Sequence, residues 1–445
     1  MKKLIFDPVH NYIEVDRELL SIIDTPEFQR LRFIKQLGVA YYVFIGASHN
    51  RFEHSIGVSY LCGLLMKNLK ERQPELYITD RDIILVKIAG LCHDLGHACF
   101  SHFFDDFFLK TKLDSTSDPA TLNVSQIASN QEKQQWAHHE YRSEVLIKYI
   151  IAKYKLAYTE DEIEFICELI NPKKRPKKLP KNRLYRPEYL YEIVSNGKSG
   201  LDCDKIDYLL RDTKNIGLAS SFEYNRLFSQ ARVIQDTICY PDKEVFNIYE
   251  LFHSRYKMHK QIYQHPVINQ LDYMILDILN EVDEEFKISE NITNIETFIS
   301  YTDNLLDRIY YTTQNQRAKK LLDQIYKRDL YEYVGEIISD GKNEEVKLQI
   351  DNYKNLIAKY NLENNVIITK FNINFNLKNK NPVDEIYFYK MSEPSVKFKI
   401  KKKVVSLMLP SIFEETIYRI ILRENGNIKL ENGEETTCRE LFTII

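Results

Sequence analysis

No run of 18 or more consecutive apolar residues occurs in the 445-residue sequence, so a membrane-spanning helix is not expected. Cysteine is sparse and unpatterned. The seven (Cys62, Cys92, Cys99, Cys167, Cys203, Cys239 and Cys438) are odd in number and never spaced CxxC, which favours reduced thiols over a disulfide framework. An excess of one charge is missing too: 61 Lys and Arg against 64 Asp and Glu leave −3, so no whole-protein field attracts nucleic acid. Any anion site must therefore be local. The amino terminus, MKKLIFDP, sets only three apolar residues between its lysines and Asp7, too few for a secretory signal core. A soluble, cytoplasmic protein without evident nuclear targeting is expected, and no internal repeat is visible.

What is present suits a folded chain of one large domain plus an appended lobe, with 44% hydrophobic and 28% charged residues. Residues 3–15 alternate like a short hairpin, KLIF and YIEV around DPVHN. Helical spacing then takes over. Asp24 and Thr25 before Pro26 and Glu27 read as an N-cap. Helices are predicted at about 52–72, 80–93, 139–156, 160–170, 187–195, 203–212, 222–235 and 244–283. The tail changes character: NNVIITKFNINFN, EIYFYK and SVKFKIKKKVV alternate at period two and are rich in β-branched and aromatic residues. The predicted fold is mainly α, with an α core over 1–330 and a smaller α+β lobe over 331–445. The segment 171–183, dense in Lys and Arg and holding three prolines, reads as a solvated loop, with a nucleic-acid or nuclear-import patch as the alternative.

Histidine is concentrated. Seven of the 11 lie between 49 and 139: His49, His54, His93, His97, His102, His138 and His139. Such clustering favours a metal or acid–base site, because histidine titrates near neutrality and is the commonest metal ligand. His93 and Asp94 end the apolar stretch IILVKIAGLC, where a polar finish to a helix is the ordinary reading of a lone His-Asp pair. Other candidates change that balance. His54 opens RFEHSIGVSYLCGLL, and GLDCDKIDYLLRD offers Asp202 and Asp204. Two histidines with two aspartates make a mixed N/O donor set suited to Mn, Fe, Mg or Zn.

RFEH, HDLGH and DCDK together resemble the HD superfamily of metal-dependent phosphohydrolases, whose ligands map onto His54, His93, Asp94 and Asp204. DPVHNYIEV, IIDTPEFQRLRFIKQLG, YYVFIGASHNRFEHSIGVSYL, IAGLCHDLGHACFSHFFD and LYEIVSNGKSGLDCDKIDYLLRD narrow the likeness. They resemble the catalytic core of the sterile-alpha-motif and HD-domain dNTP triphosphohydrolases, from residue 3 to about 415. A sterile-alpha-motif domain is not expected, since the likeness starts at the third residue. The resemblance implies an HD-domain helical core and hydrolysis of 2′-deoxynucleoside triphosphates to deoxynucleoside and inorganic triphosphate. It also implies a divalent metal at the ligand set and Mg²⁺ accompanying the nucleotide.

The resemblance also implies roles. Arg51 would clamp phosphate through paired donors. Expelling a sugar 5′-oxygen needs a general acid, for which His102 is the first choice, because Asp105 at i+3 could hold its ring and raise its pKa. His97 and His139 match further active-site histidines; spacing leaves His138 or His139 open, and the family pattern W-x-H-E favours His139. Lys205 and Tyr208 match phosphate contacts and Asp212 a contact to the sugar 3′-hydroxyl. Gln36, Leu37 and Tyr263 would exclude a ribose hydroxyl by packing. Arg255, His259 and Gln264 fall at substrate-side positions.

Relatives of this kind are activated by guanine nucleotide (GTP or dGTP) and dNTP between subunits, so a homo-oligomer, dimer to tetramer, is expected. Lys3, Asp24, Gln29, Arg32 and Arg328 match the guanine-nucleotide positions. Arg226, Lys243, His265, Asn269 and Lys402 match positions around the second nucleotide. Phe6 stands where the family has Asn, Gln261 where it has Arg, Pro266 where it has Lys, and Pro241 occupies a further basic position. These losses predict a weakened second effector site. The rival readings are another HD nucleotide hydrolase, which does not require the sugar-gate residues, and a nucleic-acid-binding protein using 171–183 for weak single-strand binding.

Overall fold

Residues 2–114, 134–176 and 183–443 are described by the structure, a computed structural model. Residues 177–182 of the basic segment lie outside them. The amino-terminal hairpin forms as its alternation predicts: Lys3–Asp7 pairs antiparallel with Asn11–Val15, and Asn11 takes the left-handed conformation that closes so short a turn.

Two adjacent helices carry the centre of the molecule, and both begin where their sequences place a reciprocal cap. Asn50 and Glu53 bond each other's backbone at the start of Arg51–Arg72, as Thr79 and Asp82 do before Asp80–Cys92. Both helices are apolar nearly all round, with residues such as Val58, Leu61, Leu65, Leu85, Ile88 and Leu91 buried. They are core helices rather than surface ones. Cys203–Asn215 packs against the first, and its Asp202 accepts the Lys205 N–H at 2.9 Å as N-cap.

The sequence expectation differs from the structure in four places. The stretch 187–195 is a short 3-10 turn, Glu188–Glu192, because Tyr189, Leu190, Tyr191, Ile193 and Val194 are all buried and leave no polar face. The stretch 222–235 is a helix only over Tyr224–Gln230; Arg232–Val233 already pairs with Ile238–Cys239. The single helix expected over 244–283 is two, Val245–Met258 and Pro266–Phe286, joined through a π-wound turn, His259–Tyr263. Pro266 cannot continue a helix from its amino side but starts one well. In the tail, the alternation of SVKFKIKKKVV yields a strand only to Phe398, and Lys402–Val405 is helical.

Beyond residue 330, Glu414–Leu422 is the centre of a three-stranded antiparallel sheet between Glu332–Ser339 and Val366–Asn374. The helix Glu344–Lys359 packs on it through Ile350 and Tyr353. The strand Tyr387–Lys390 pairs parallel with Ile238–Pro241. Among the described residues no helix is long and apolar enough to cross a membrane.

Candidate metal centre and nucleotide cleft

His54 lies one turn into its helix, His93 ends the neighbouring helix, Asp94 follows in the turn, and Asp204 lies in the first turn of Cys203–Asn215. One ligand atom each from His54, His93 and Asp204 falls within 4.8 Å of the others. Nε2 of His54 is 3.2 Å, and Nε2 of His93 3.3 Å, from Oδ1 of Asp204. The Asp94 carboxylate stands 3.5 Å from both rings.

Both Nε2 atoms are buried and have no hydrogen-bond partner among the described residues. Their opposite nitrogens are held: Nδ1 of His54 by Asp207 at 2.7 Å, Nδ1 of His93 by the Gly90 carbonyl at 2.8 Å. A proton kept on Nδ1 leaves a lone pair on Nε2, the state a metal ligand requires. Two bare imidazole nitrogens facing two carboxylates fit a divalent cation. The electrostatics agree. Burial opposes charge on His54, but the neighbouring Asp204 and Asp207 carboxylates raise it to about 10. Burial likewise opposes ionisation of Asp94, yet Arg51 and His93 hold it well below the usual carboxylate range. Asp204 is held down by His54 and His93 against the same penalty. Without a cation, the carboxylates draw a proton instead.

A second cluster adjoins the first. The rings of His97 and His139 stack with centroids 3.9 Å apart, and His102 stands edge-on to both at 4.9 and 5.3 Å. Here the spacing argument for His102 fails. Asp105 accepts from His139, at 2.9 Å from Nδ1 and 3.1 Å from the backbone N–H, and makes an ion pair with the fully buried Arg142. The chain is π-wound over Phe104–Leu109, and Arg142 requires a counterion, so Asp105 turns away from His102. Although the edge of His102 is open to solvent, the protein packed around it, with His139 and Arg51, pushes it down to about 4. Burial also opposes charge on His139, but Asp105 raises it above the ordinary 6.5. His138 is exposed, so His139 is the member of the doublet that faces the cleft.

The cleft itself has a volume of about 530 Å³, and its walls include Arg51, His93, Asp94, His102, His139 and Asp204. Gln36, Leu37, Tyr208, Asp212, Tyr263 and Gln264 line it as well, with Arg255 and His259. Tyr263 donates to Asp212 at 2.6 Å, and His49 holds the other oxygen of Asp212 at 2.7 Å. Burial, then Arg255, pushes His259 well below its usual range. Four predicted residues do not reach the lining: His54 and His97 are fully buried, Asp105 is turned onto His139 and Arg142, and Lys205 is turned onto Asp202 at 3.0 Å.

Lys3, Asp24, Gln29 and Arg32 come together around a separate cavity of about 440 Å³ beside the hairpin, with Phe6, Asp7 and Phe52. Arg32 stacks on Phe52 at 3.6 Å and donates to Gln29 at 2.8 Å. Arg328 ends the helix Gln316–Lys327 in a left-handed conformation, exposed and outside that cavity. Of the second set, Lys243 is exposed, Arg226 pairs with Glu244 at 2.7 Å, His265 caps Val267, and Lys402 donates to the Pro410 carbonyl. Asn269 is 3% exposed and bonded to Arg419 and Gln264. Phe6 is exposed beside Tyr12, and Pro241 is buried in its strand.

The sequence reading missed Asp207, Arg142 and Asp303. The last accepts the backbone N–H groups of Lys35 and Phe100, at 2.8 and 2.7 Å, and so fixes two walls of the cleft. It also missed the reason for glycine in HDLGH. A Cβ at Gly96 would overlap the His139 carbonyl and lie 2.7 Å from Cβ of Arg142. Gly96→Ala is expected to cost about 1–3 kcal/mol of stability by overpacking. Turnover should fall about a hundredfold, as ångström-scale shifts of reacting groups do. Thermal midpoint and kcat together check this.

A helical core that gathers two histidines with free Nε2 atoms and two aspartates beside one cleft is a centre of the HD type. Residues 51–211 match the HD domain family. The chain is 38% identical over 464 residues to deoxynucleoside triphosphate triphosphohydrolase SAMHD1 of Gallus gallus, covering 96% of this chain and 73% of that protein. Identity is again 38% to the SAMHD1 homolog of Dictyostelium discoideum, over 95% of this chain and 77% of the homolog. It is 38% to SAMHD1 of Homo sapiens, over 95% and 70%. The chain belongs to the SAMHD1 family of HD-domain proteins.

Proposed function

We propose that the chain hydrolyses 2′-deoxynucleoside triphosphates to deoxynucleoside and inorganic triphosphate at a divalent metal held by His54, His93, Asp94 and Asp204. The observation that carries this is the pair of buried, unpartnered Nε2 atoms facing two carboxylates, of which His93, Asp94 and Asp204 line a nucleotide-sized cleft and His54 lies just behind them. The residues suit Mn, Fe, Zn or Mg, with Mg²⁺ accompanying the nucleotide. Such a cation offsets phosphate charge and acidifies a water. The rest of the work falls to the chain. Arg51, beside Asp94, brings a guanidinium to the phosphates, and Tyr208 and Arg255 bring donors from the opposite elements.

His139, charged with the help of Asp105, is the proton donor to the departing 5′-oxygen. His102 replaces its expected role as acid with that of a neutral hydrogen-bonding partner. Tyr263, fixed by Asp212, closes the sugar pocket against Gln36 and Leu37 and leaves no room for a ribose 2′-hydroxyl.

Control would come through the hairpin cavity. Asp24 suits the N–H donors of a guanine edge, and Lys3 and Arg32 suit its phosphates, so GTP or dGTP is the expected activator, with assembly to dimers and tetramers. Residues 331–445 would form the regulatory lobe. Phe6, Gln261, Pro266 and Pro241 leave the second nucleotide with fewer cations, and so with weaker control. Titrating dATP hydrolysis with GTP and with each dNTP, while following mass by light scattering, tests this. Activation by GTP with little further response to dNTP is expected; equal, saturable responses to both would contradict the weakened second site.

A further inference from the structure

We infer that Asp207 is a positioning residue for the candidate metal centre and that it ties this centre to the amino-terminal hairpin. The inference rests on the metal-site reading above. Asp207 lies one turn after Asp204 and is wholly buried. Oδ2 of Asp207 accepts the Nδ1 proton of His54 at 2.7 Å, while Oδ1 is 2.6 Å from Nε2 of His10, in the hairpin turn. Arg211, also wholly buried, grips both oxygens of Asp207 at 2.9 and 3.0 Å.

From there the connection returns to the hairpin. Arg211 donates to Oδ2 of Asp7 at 2.8 Å, and Oδ1 of Asp7 accepts the backbone N–H groups of Val9 and His10, each at 2.8 Å. Asp7, His10, Asp207 and Arg211 thus form a closed ring of buried polar contacts. The ring of His10 is held between Tyr60 and Tyr224, with centroids 5.2 and 5.8 Å away.

A second, independent feature supports the arrangement. The helix that carries His54 has glycine at position 57, where a Cβ would lie 2.7 Å from Cγ of Asp207 and collide with the Arg211 guanidinium. Room for the carboxylate–guanidinium pair is therefore built into the ligand-bearing helix.

The consequence is a shared fate. His54 offers a free Nε2 only while Asp207 holds the proton on Nδ1, and Asp207 is aimed by Arg211 and His10 only while the hairpin is seated. Asp7 also lines the hairpin cavity with Lys3 and Arg32. A ligand that firms the hairpin there would raise metal affinity, and metal would firm the hairpin by the same factor. A purely structural ion pair would hold the hairpin down without any such reciprocity.

The test compares wild type, Asp207→Asn and His10→Phe, each stripped of metal and titrated with Mn²⁺. Two readouts are taken: Mn²⁺ affinity, and hydrogen exchange of the hairpin amides with and without Mn²⁺. Asp207→Asn should bind Mn²⁺ about 10–100-fold more weakly, the usual cost of losing such a partner. His10→Phe, which keeps the ring packing but drops the hydrogen bond, should lose several-fold. Mn²⁺ should slow hairpin exchange in wild type and cease to do so in Asp207→Asn. If Asp207→Asn does not fold, His10→Phe decides alone. Unchanged affinity in the folded variants, or hairpin exchange indifferent to Mn²⁺ in wild type, overturns the inference while leaving the metal site standing. A wild type that binds no Mn²⁺, Fe²⁺ or Zn²⁺ overturns both.

Discussion

Asp204→Ala is expected to abolish metal binding and to lower dNTP turnover by about a thousandfold or more, since the cation's charge and the acidified water are lost together. The fold should survive. The Asp204 side chain is 30% exposed, so truncation opens no sealed cavity, and one carboxylate leaves a site that already holds Asp94. Metal analysis and thermal denaturation with and without Mn²⁺ check this. Wild type should gain stability with added metal by mass action, and the variant should gain none. A variant that still takes up stoichiometric metal and turns over would remove Asp204 from the ligand set.

His139→Gln is expected to cost about 10²–10⁴ in kcat, the usual contribution of a positioned general acid. Its partner predicts a direction with pH. His139 acts only when protonated, and Asp105 raises its pKa above 6.5, so activity should persist as pH rises and fall away through that raised value. Asp105→Asn removes the negative charge, lowers the His139 pKa and moves the basic limb to lower pH. The same change leaves Arg142 buried without its counterion, with an expected loss of about 3–5 kcal/mol, so the limb must be read below the lowered thermal midpoint. A basic limb unmoved by Asp105→Asn and lost in His102→Gln would restore His102 as the acid.

The candidate metal ligands were legible through the resemblance rather than through spacing: only His93 and Asp94 are adjacent, His54 and Asp204 open two capped helices far apart in the chain, and the family pattern alone chose Asp204 over Asp202. The cleft was legible only through resemblance, since Gln36, Tyr208 and Tyr263 are ordinary core-forming types until the fold brings them to one wall. What stayed hidden was partnership over long separations. Helical spacing offered Asp105 to His102 at i+3, but a buried arginine 37 residues away claimed it. Asp207 looked like one more acid on a helix, and its link to His10 spans 197 residues. The break at Pro266 was legible in principle, because a proline cannot sit inside a continuous helix, yet the unbroken apolar period on both sides disguised it.

What the cleft releases decides the reaction. Pure protein with Mn²⁺ or Mg²⁺, with and without GTP, is incubated with each dNTP and each NTP, and the products are resolved by ion exchange. Deoxynucleoside and inorganic triphosphate in equal amounts, with NTPs left intact, is the predicted result. Diphosphate or pyrophosphate as product, or equal consumption of NTPs, would contradict it.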